Sequence, residues 1–517
     1  MSTAARVISG SAASWAQIGV TMISQMALVP LYLSHWNVVT YGIWLAILSL
    51  TNLMITLDFG HQEFLAYEFL RIGRNNPSEL SKYLWSGAAT GILISIGQIL
   101  LIAIFLATGV LPYLLGQSQH AGMIDPELVH AAGIIVLFQS ASWLISNSIS
   151  GLFFRALAPY GYFPRMAWWT LLNTVASAVA PVVAVVMGAG LLKAGVVMTC
   201  ASLILSVPMY MDLLRLLRKE GIPFSKPSLK TGYKNFSRSL AISGKGLLEN
   251  ARQQGARLVL APLSGAAGLA AFSTMRTGAN VALQGLNTVI NPLMPELMRF
   301  LHQRDQERSE AAFGTLWFVL VALMAPAMVV LQAIMEPLYT IWTRGRVTFN
   351  PLLFATLSLS VLVYAVAQPA IAVVKGNNLL KAQLTLSAVA AVVVVGGIAA
   401  LVPFMSILGA GIALLAAEIA AMVGYRMVAQ RWLQANGLLW PKQHFAIAMA
   451  SVWIAAAAMG AMVVLPQAKW FVLLGSLVLL AGNMWRYWQV LPDLATQHAR
   501  RIVSNLPGMK KLYAPNN

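Results

Sequence analysis

The chain has 517 residues, of which 58% are hydrophobic and only 10% charged, with a mean hydropathy of +0.72. Soluble domains carry about 25% charged residues, so this composition excludes an ordinary water-soluble fold: too few polar side chains exist to cover its surface. The formal net charge of +18 reads as the basic bias of cytoplasmic loops, with some attraction for anionic lipid, and not as a nucleic-acid surface.

Four stretches free of Asp, Glu, Lys and Arg lie between Arg165 and Lys193, Glu310 and Glu336, Arg346 and Lys375, and Lys442 and Lys469. Each reaches the roughly 20 residues that a helix needs to cross a bilayer. Inside lipid the backbone must satisfy its own hydrogen bonds, so these stretches are expected to be helical. Turn signals and charges divide the chain into about fourteen helices, near 9–34, 41–62, 84–113, 129–154, 166–188, 193–214, 239–262, 267–294, 311–336, 351–374, 382–402, 407–428, 444–466 and 470–490. The first is read as a retained helix, its apolar stretch being too long for a signal-peptide core. Cys200 is the single cysteine, within an apolar run, so no disulfide framework is expected.

Lys and Arg set the orientation. With the N-terminus inside, the inner segments collect Arg71, Arg74 and Lys82, then Arg155 and Arg165, then seven basic residues from Arg215 to Arg238, and later the basic C-terminal tail. The outer loops hold Lys193, Arg344, Arg346 and Lys469. Both termini are therefore expected in the cytoplasm, with Asp125 and Glu127 outside. The midpoint basic loop suggests an N-terminal six-helix lobe at 1–218, a basic linker at 219–238, a C-terminal six-helix lobe at 239–433, and a helix pair with a basic tail at 434–517. Glu68-Phe-Leu-Arg71 and Glu296-Leu-Met-Arg299 close corresponding helices of the two halves, as in transporters built from repeats. The fold class is thus all-α, a polytopic membrane protein of two six-helix lobes plus a C-terminal pair.

The seventh helix carries Lys245, Glu249, Arg252 and Arg257, the first three on one face. A charge at mid-membrane costs roughly 2.5–3.5 kcal/mol on insertion scales, so such groups face a cavity or a partner; Lys245 has the alternative of snorkelling to the interface. In the eighth helix Ser273, Arg276, Asn280, Gln284, Asn287 and Asn291 recur at steps of three or four, opposite Met275, Val281, Leu286 and Val289. This stripe either seams two helices or lines a water-filled lumen; the bulk and hydration of Arg276 favour the lumen. Weaker stripes occur in helix one (Ser14, Gln17, Thr21, Ser24, Gln25) and helix ten (Ser360, Tyr364, Gln368, Lys375). Glu249, Glu418 and Asp58 are candidates for ion coupling, with structural pairing the competing role for Asp58. The histidines, among them His35, His61, His120 and His302, fall mostly at predicted helix ends. No phosphate-binding loop, catalytic motif or Cys/His metal spacing occurs, so no enzyme activity, cofactor or metal is expected.

Val29-Pro30-Leu31-Tyr32-Leu33-Ser34, Tyr41-Gly42-Ile43-Trp44 and Leu57-Asp58-Phe59-Gly60 resemble the N-terminus of O-antigen (Wzx-type) polysaccharide flippases, of the multidrug/oligosaccharidyl-lipid/polysaccharide exporter superfamily. Pro292-Leu293-Met294-Pro295-Glu296 is similar to that superfamily's pattern at the same place. The resemblance implies V-shaped lobes alternating access around a central cationic cavity, in a bacterial inner membrane. It also implies an undecaprenyl-pyrophosphate-linked oligosaccharide as cargo for surface polysaccharide such as the O-antigen of lipopolysaccharide, with other polysaccharide-assembly membrane proteins as partners. Lys245, Arg252, Arg257 and Arg276 would hold the phosphates, and Asn280, Gln284 and Asn287 the sugar hydroxyls. A multidrug antiporter of the same superfamily, or a membrane-embedded polysaccharide polymerase or ligase, are the alternatives. The cationic helices argue against the first and the short outer loops against the second.

Overall fold

A computed structural model describes residues 3–117 and 123–492, with side chains except at 3–11, 14, 57, 252, 253, 282, 285, 287–292 and 295. The side chains of the expected site residues Arg252 and Asn287, and of Ser14 and Asn291, together with His120 and the 493–517 tail, lie outside what is described.

Fourteen long helices, besides one short helix at Val110–Leu114, follow one another, with no strand among the described residues. α1 is Thr3–His35. α2 is bent, Val38–Met54 and then Thr56–Ile72. α3 is Pro77–Ala107, α4 Pro126–Tyr160, α5 Phe163–Val186 and α6 Leu191–Lys219. α7 begins at Leu229 and passes through a π turn at Ala251–Gly255; α8 ends at His302. α9 is Gln306–Trp342, α10 Pro351–Gly376, α11 Leu380–Met405 and α12 Ile407–Ala435. α13 is Lys442–Val464 and α14 Lys469–Val490. The starts are coded locally. The side chains of Asn37, Asn76, Asp125, Asp305 and Asn350 each accept a backbone N–H of the helix they open, occupying a donor that would otherwise be orphaned. Proline occupies the first turn of α3, α4 and α10, where it loses no hydrogen bond.

Among the described residues, twelve helices are long and apolar enough to cross a membrane, or thirteen when bent α2 counts as one span. The chain is a multi-pass membrane protein. Among the described residues, α7 and α8 contribute one such apolar segment, Ala256–Val281. Gly265, at φ 74° and ψ 171°, breaks the chain between them, inside the predicted gap at 263–266. A Cβ on Gly42 would come within 1.9 Å of the Ala266 carbonyl oxygen, and one on Gly116 within 2.7 Å of the Ala266 nitrogen. Only glycine lets those backbones approach the break.

By contact the chain forms two compact units. One comprises Met1–Thr274, Thr340–Thr348 and Val394–Ala410; the other comprises Met275–Tyr339, Phe349–Val393 and Gly411–Asn517. In the first, the second half of α2 packs with α3, α4 and α6 around Leu65, Phe69, Leu84, Phe153 and Leu213. α7 lies against α2 and α3, seated by Gly60, whose Cβ would fall 2.5 Å from the Ser243 backbone. Close approach through small residues is how helices gain packing energy where lipid removes the hydrophobic drive. In the second unit α10 is almost wholly buried, and Phe313, Trp317, Trp440 and Phe445 form a cluster whose Trp317–Trp440 and Trp317–Phe445 pairs meet edge to face.

Candidate functional site: charged and amide groups on the spanning helices

Residues along α7 face according to its winding. A π turn carries one more residue than an α turn and so rotates everything after it by about 100°. Counted along an unbroken α-helix, Arg257 would stand about 120° from Lys245; the extra residue at Ala251–Gly255 reduces this to about 20°. Lys245, Glu249 and Arg257 thereby share one strip, and all three are partly exposed. Sequence periodicity aligned only Lys245, Glu249 and Arg252.

Arg257 is sparsely satisfied. Its Nη1 reaches Gln254 Oε1 at 3.5 Å, the limit of a hydrogen bond, and Tyr41 of α2 is its electrostatic neighbour. Its Nε–H is buried with no hydrogen-bond partner among the described residues. A buried donor without an acceptor costs about 1–3 kcal/mol, a cost that an anionic ligand would remove. Just beside it, Asn250 donates to Thr56 Oγ1 at 2.8 Å, tying α7 to the bend of α2.

On α8, Arg276, Asn280 and Gln284 are partly exposed at successive steps of four. Met275, Ala279 and Leu286 are buried, and Gly278 lies against Met335 and Phe354. The stripe therefore has an accessible side and a packed back. Ser273 departs from the expectation: it is 2% exposed and does not extend the accessible stripe.

Helix ten also corrects the sequence reading. Ser360 and Gln368 are buried in α10 and donate to their own helix, at Leu357 O and Tyr364 O. These two satisfy themselves locally, whereas Tyr364 is half-buried and Lys375 exposed. In α1, Thr21 likewise donates to Gln17 O.

Asp58 is wholly buried, and sequence reasoning missed most of what surrounds it. Its carboxylate accepts from Gln62 Nε2 at 2.8 Å, Trp143 Nε1 at 2.8 Å and Ser148 Oγ at 3.1 Å. Gln62 Oε1 in turn accepts from Arg155 Nη1 at 2.8 Å. Arg155 was expected in a loop after the fourth helix; it lies within α4, its guanidinium 5.3 Å from the Phe59 ring. A π turn at Leu144–Ser148 presents Ser148 to Asp58. Three polar side chains thus satisfy one wholly buried acid. The available signal was the polar run Ser140, Ser142, Ser146, Asn147, Ser148 and Ser150 inside an otherwise apolar helix. His61 is a further correction: α2 continues to Ile72, so His61 is buried in mid-helix, its Nε2 3.3 Å from Gly87 O. Glu418 is buried in α12 at 7% exposure. Among the described residues no group of three or more Asp, Glu, His and Cys is placed to hold a metal ion.

No family model matches the chain. No curated protein sequence matches it either. Solved structures do. The chain is similar to the lipid II flippase MurJ in an inward closed conformation, with a TM-score of 0.64 and 12% identity over 93% of this chain and 99% of that one. An inward-facing multidrug resistance MATE family transporter of the MOP superfamily gives a TM-score of 0.60 and 14% identity, over 81% of this chain and 95% of that one. A variant of the Vibrio cholerae MATE transporter VcmN gives 0.57 and 14%, over 84% and 98%. At these identities the likeness establishes a shared fold.

Proposed function

We propose that this chain is a flippase that carries an undecaprenyl-pyrophosphate-linked oligosaccharide from the inner to the outer leaflet of a bacterial inner membrane by alternating access, for surface polysaccharide assembly. The observation that carries the reading is the cationic strip of α7, where Arg257 holds a buried N–H without an acceptor among the described residues and one acid, Glu249, stands among Lys245, Arg252 and Arg257. A pyrophosphate supplies both the missing acceptor and the missing negative charge, and guanidinium binds phosphate oxygens as a fork. Arg276 adds a fourth cation, while Asn280, Gln284 and Asn287 offer donors and acceptors to sugar hydroxyls. The polyprenyl tail remains in lipid.

The fold shared with the lipid II flippase and with the multidrug transporters supports a transporter. A multidrug antiporter handling cations is disfavoured by the positive charge of α7 and α8. The proposed organisation is two six-helix lobes, 1–218 and 239–433, with a C-terminal helix pair and both termini cytoplasmic. No enzymatic step is assigned. Glu249, Glu418 and Asp58 are proposed for ion coupling.

The test is depletion of the protein in its native strain. Lipid-linked oligosaccharide should accumulate facing the cytoplasm while surface polysaccharide falls, and wild-type chain should reverse both. Normal surface polysaccharide after depletion, with no such lipid accumulating, would refute the assignment.

A further inference from the structure

A second basic site lies apart from α7 and α8, where α5 begins and α6 ends. A groove of about 440 Å³ opens there between the two helices. Its floor is an ion pair: Arg165 donates through Nε and Nη2 to the two oxygens of Asp212. The Trp169 indole N–H also donates to that carboxylate, at 2.9 Å. Asp212 is 8% exposed and its charge is fully engaged. Arg215, one turn from the groove's acid on α6, also lines the groove, is exposed, and has no ion-pair partner among the described residues. Two guanidinium groups and one carboxylate leave a net positive charge at the mouth. Glu220, the other acid nearby, accepts from Tyr162 and is turned to that phenol.

The rest of the lining is apolar: Trp168, Leu172, Pro208 and Met211. Trp168 is 45% exposed, Leu172 48% and Met211 51%. The cationic end coincides with the first turn of one spanning helix and the last turns of the next. That is the level where lipid headgroups sit and where tryptophan and arginine concentrate. Cationic mouth, aromatic rim and apolar wall follow one another in the order of a phospholipid's own phosphate, glycerol and acyl chain.

We infer that this α5–α6 groove is a binding site for an anionic phospholipid, with its phosphate on Arg215 and the outer edge of Arg165 and its acyl chain along Leu172, Pro208 and Met211. The bidentate Asp212 pair holds Arg165 in place, so the lipid meets a pre-ordered cation. This site is separate from the cargo residues and does not depend on the cargo assignment. A basic side chain near a membrane surface strengthens attraction to anionic lipid by roughly fivefold, which sets the size of effect to look for.

The experiment uses the purified full chain in lipid nanodiscs, with dibrominated phosphatidylglycerol or dibrominated phosphatidylcholine as quencher of tryptophan fluorescence. Half-quenching of the Trp168-dependent component, read as wild type minus Trp168→Phe, should need about fivefold less of the phosphatidylglycerol. Arg215→Gln should remove that preference and Arg215→Lys should keep it, both with unchanged elution and helicity, since Arg215 is exposed. Equal quenching by the two lipids in wild type, or an unchanged preference in Arg215→Gln, overturns the inference. Abolition of the preference by inorganic phosphate alone overturns it too, assigning the groove to a free anion.

Discussion

Arg257 offers the sharpest test of the cationic strip. In hydrogen bonds its replacement by alanine removes little from the free protein: the contact to Gln254 at 3.5 Å is lost, and a buried Nε–H with no acceptor among the described residues is removed. The first is worth under about 1 kcal/mol, and the second removes a burial cost of about 1–3 kcal/mol. The hydrogen-bonding balance should therefore lie near zero or be stabilising, leaving the loss of side-chain packing as the main cost to stability. Transport should behave oppositely. A charge-assisted hydrogen bond to phosphate contributes about 1.5–3 kcal/mol, so losing one should lower transport roughly 10- to 150-fold. Arg257→Lys retains the charge but not the planar fork and should recover only part. The assay is surface polysaccharide per unit of membrane-inserted protein, with the melting temperature of the purified chain measured alongside. If Arg257→Ala flips cargo normally, or if its defect merely tracks lost protein, the cationic strip does not hold the phosphates.

Asp58→Asn should lower the melting temperature by the equivalent of about 1–3 kcal/mol, because the new amide N–H₂ confronts donors at Gln62, Trp143 and Ser148; adding Arg155→Leu should cost less than additively, and independent effects in the double mutant would show that Gln62 does not couple them. Gly42→Ala, whose methyl would overlap the Ala266 carbonyl, should reduce folded yield sharply, whereas Gly97→Ala, with open space around it, should not; equal yields would deny the close α2 approach. Glu418→Gln should preserve folding but uncouple transport from the proton gradient, and intact gradient dependence removes Glu418 from coupling. Cysteine at position 125 should react with an impermeant thiol reagent in intact cells, while cysteines in the 226–234 loop should not; the reverse pattern would invert the topology.

The all-helical, multi-pass character of the chain was legible from residue types alone. Bilayer thickness and the need to pair every buried backbone group leave a charge-poor chain no other solution. The gap at 263–266 also fell where Gly265 breaks the chain, since glycine and the surrounding small residues carry that signal locally. The polar residues of α8 kept their expected periodicity at Arg276, Asn280 and Gln284 because an uninterrupted helix transmits phase faithfully. Phase could not be carried across the π turn of α7. One extra residue in a turn has no compositional mark, yet it moves Arg257 by about 100° onto the face of Lys245. Nor could periodicity distinguish a lumen from a packed interior, so Gln368 looked like Arg276 until α10 proved to be buried and self-bonded. The convergence of Asp58 and Gln62 with Trp143, Ser148 and Arg155 joins side chains some 85 to 93 positions apart. Such partners are chosen by which helices pack together, and packing among equally apolar helices is decided by shape in three dimensions.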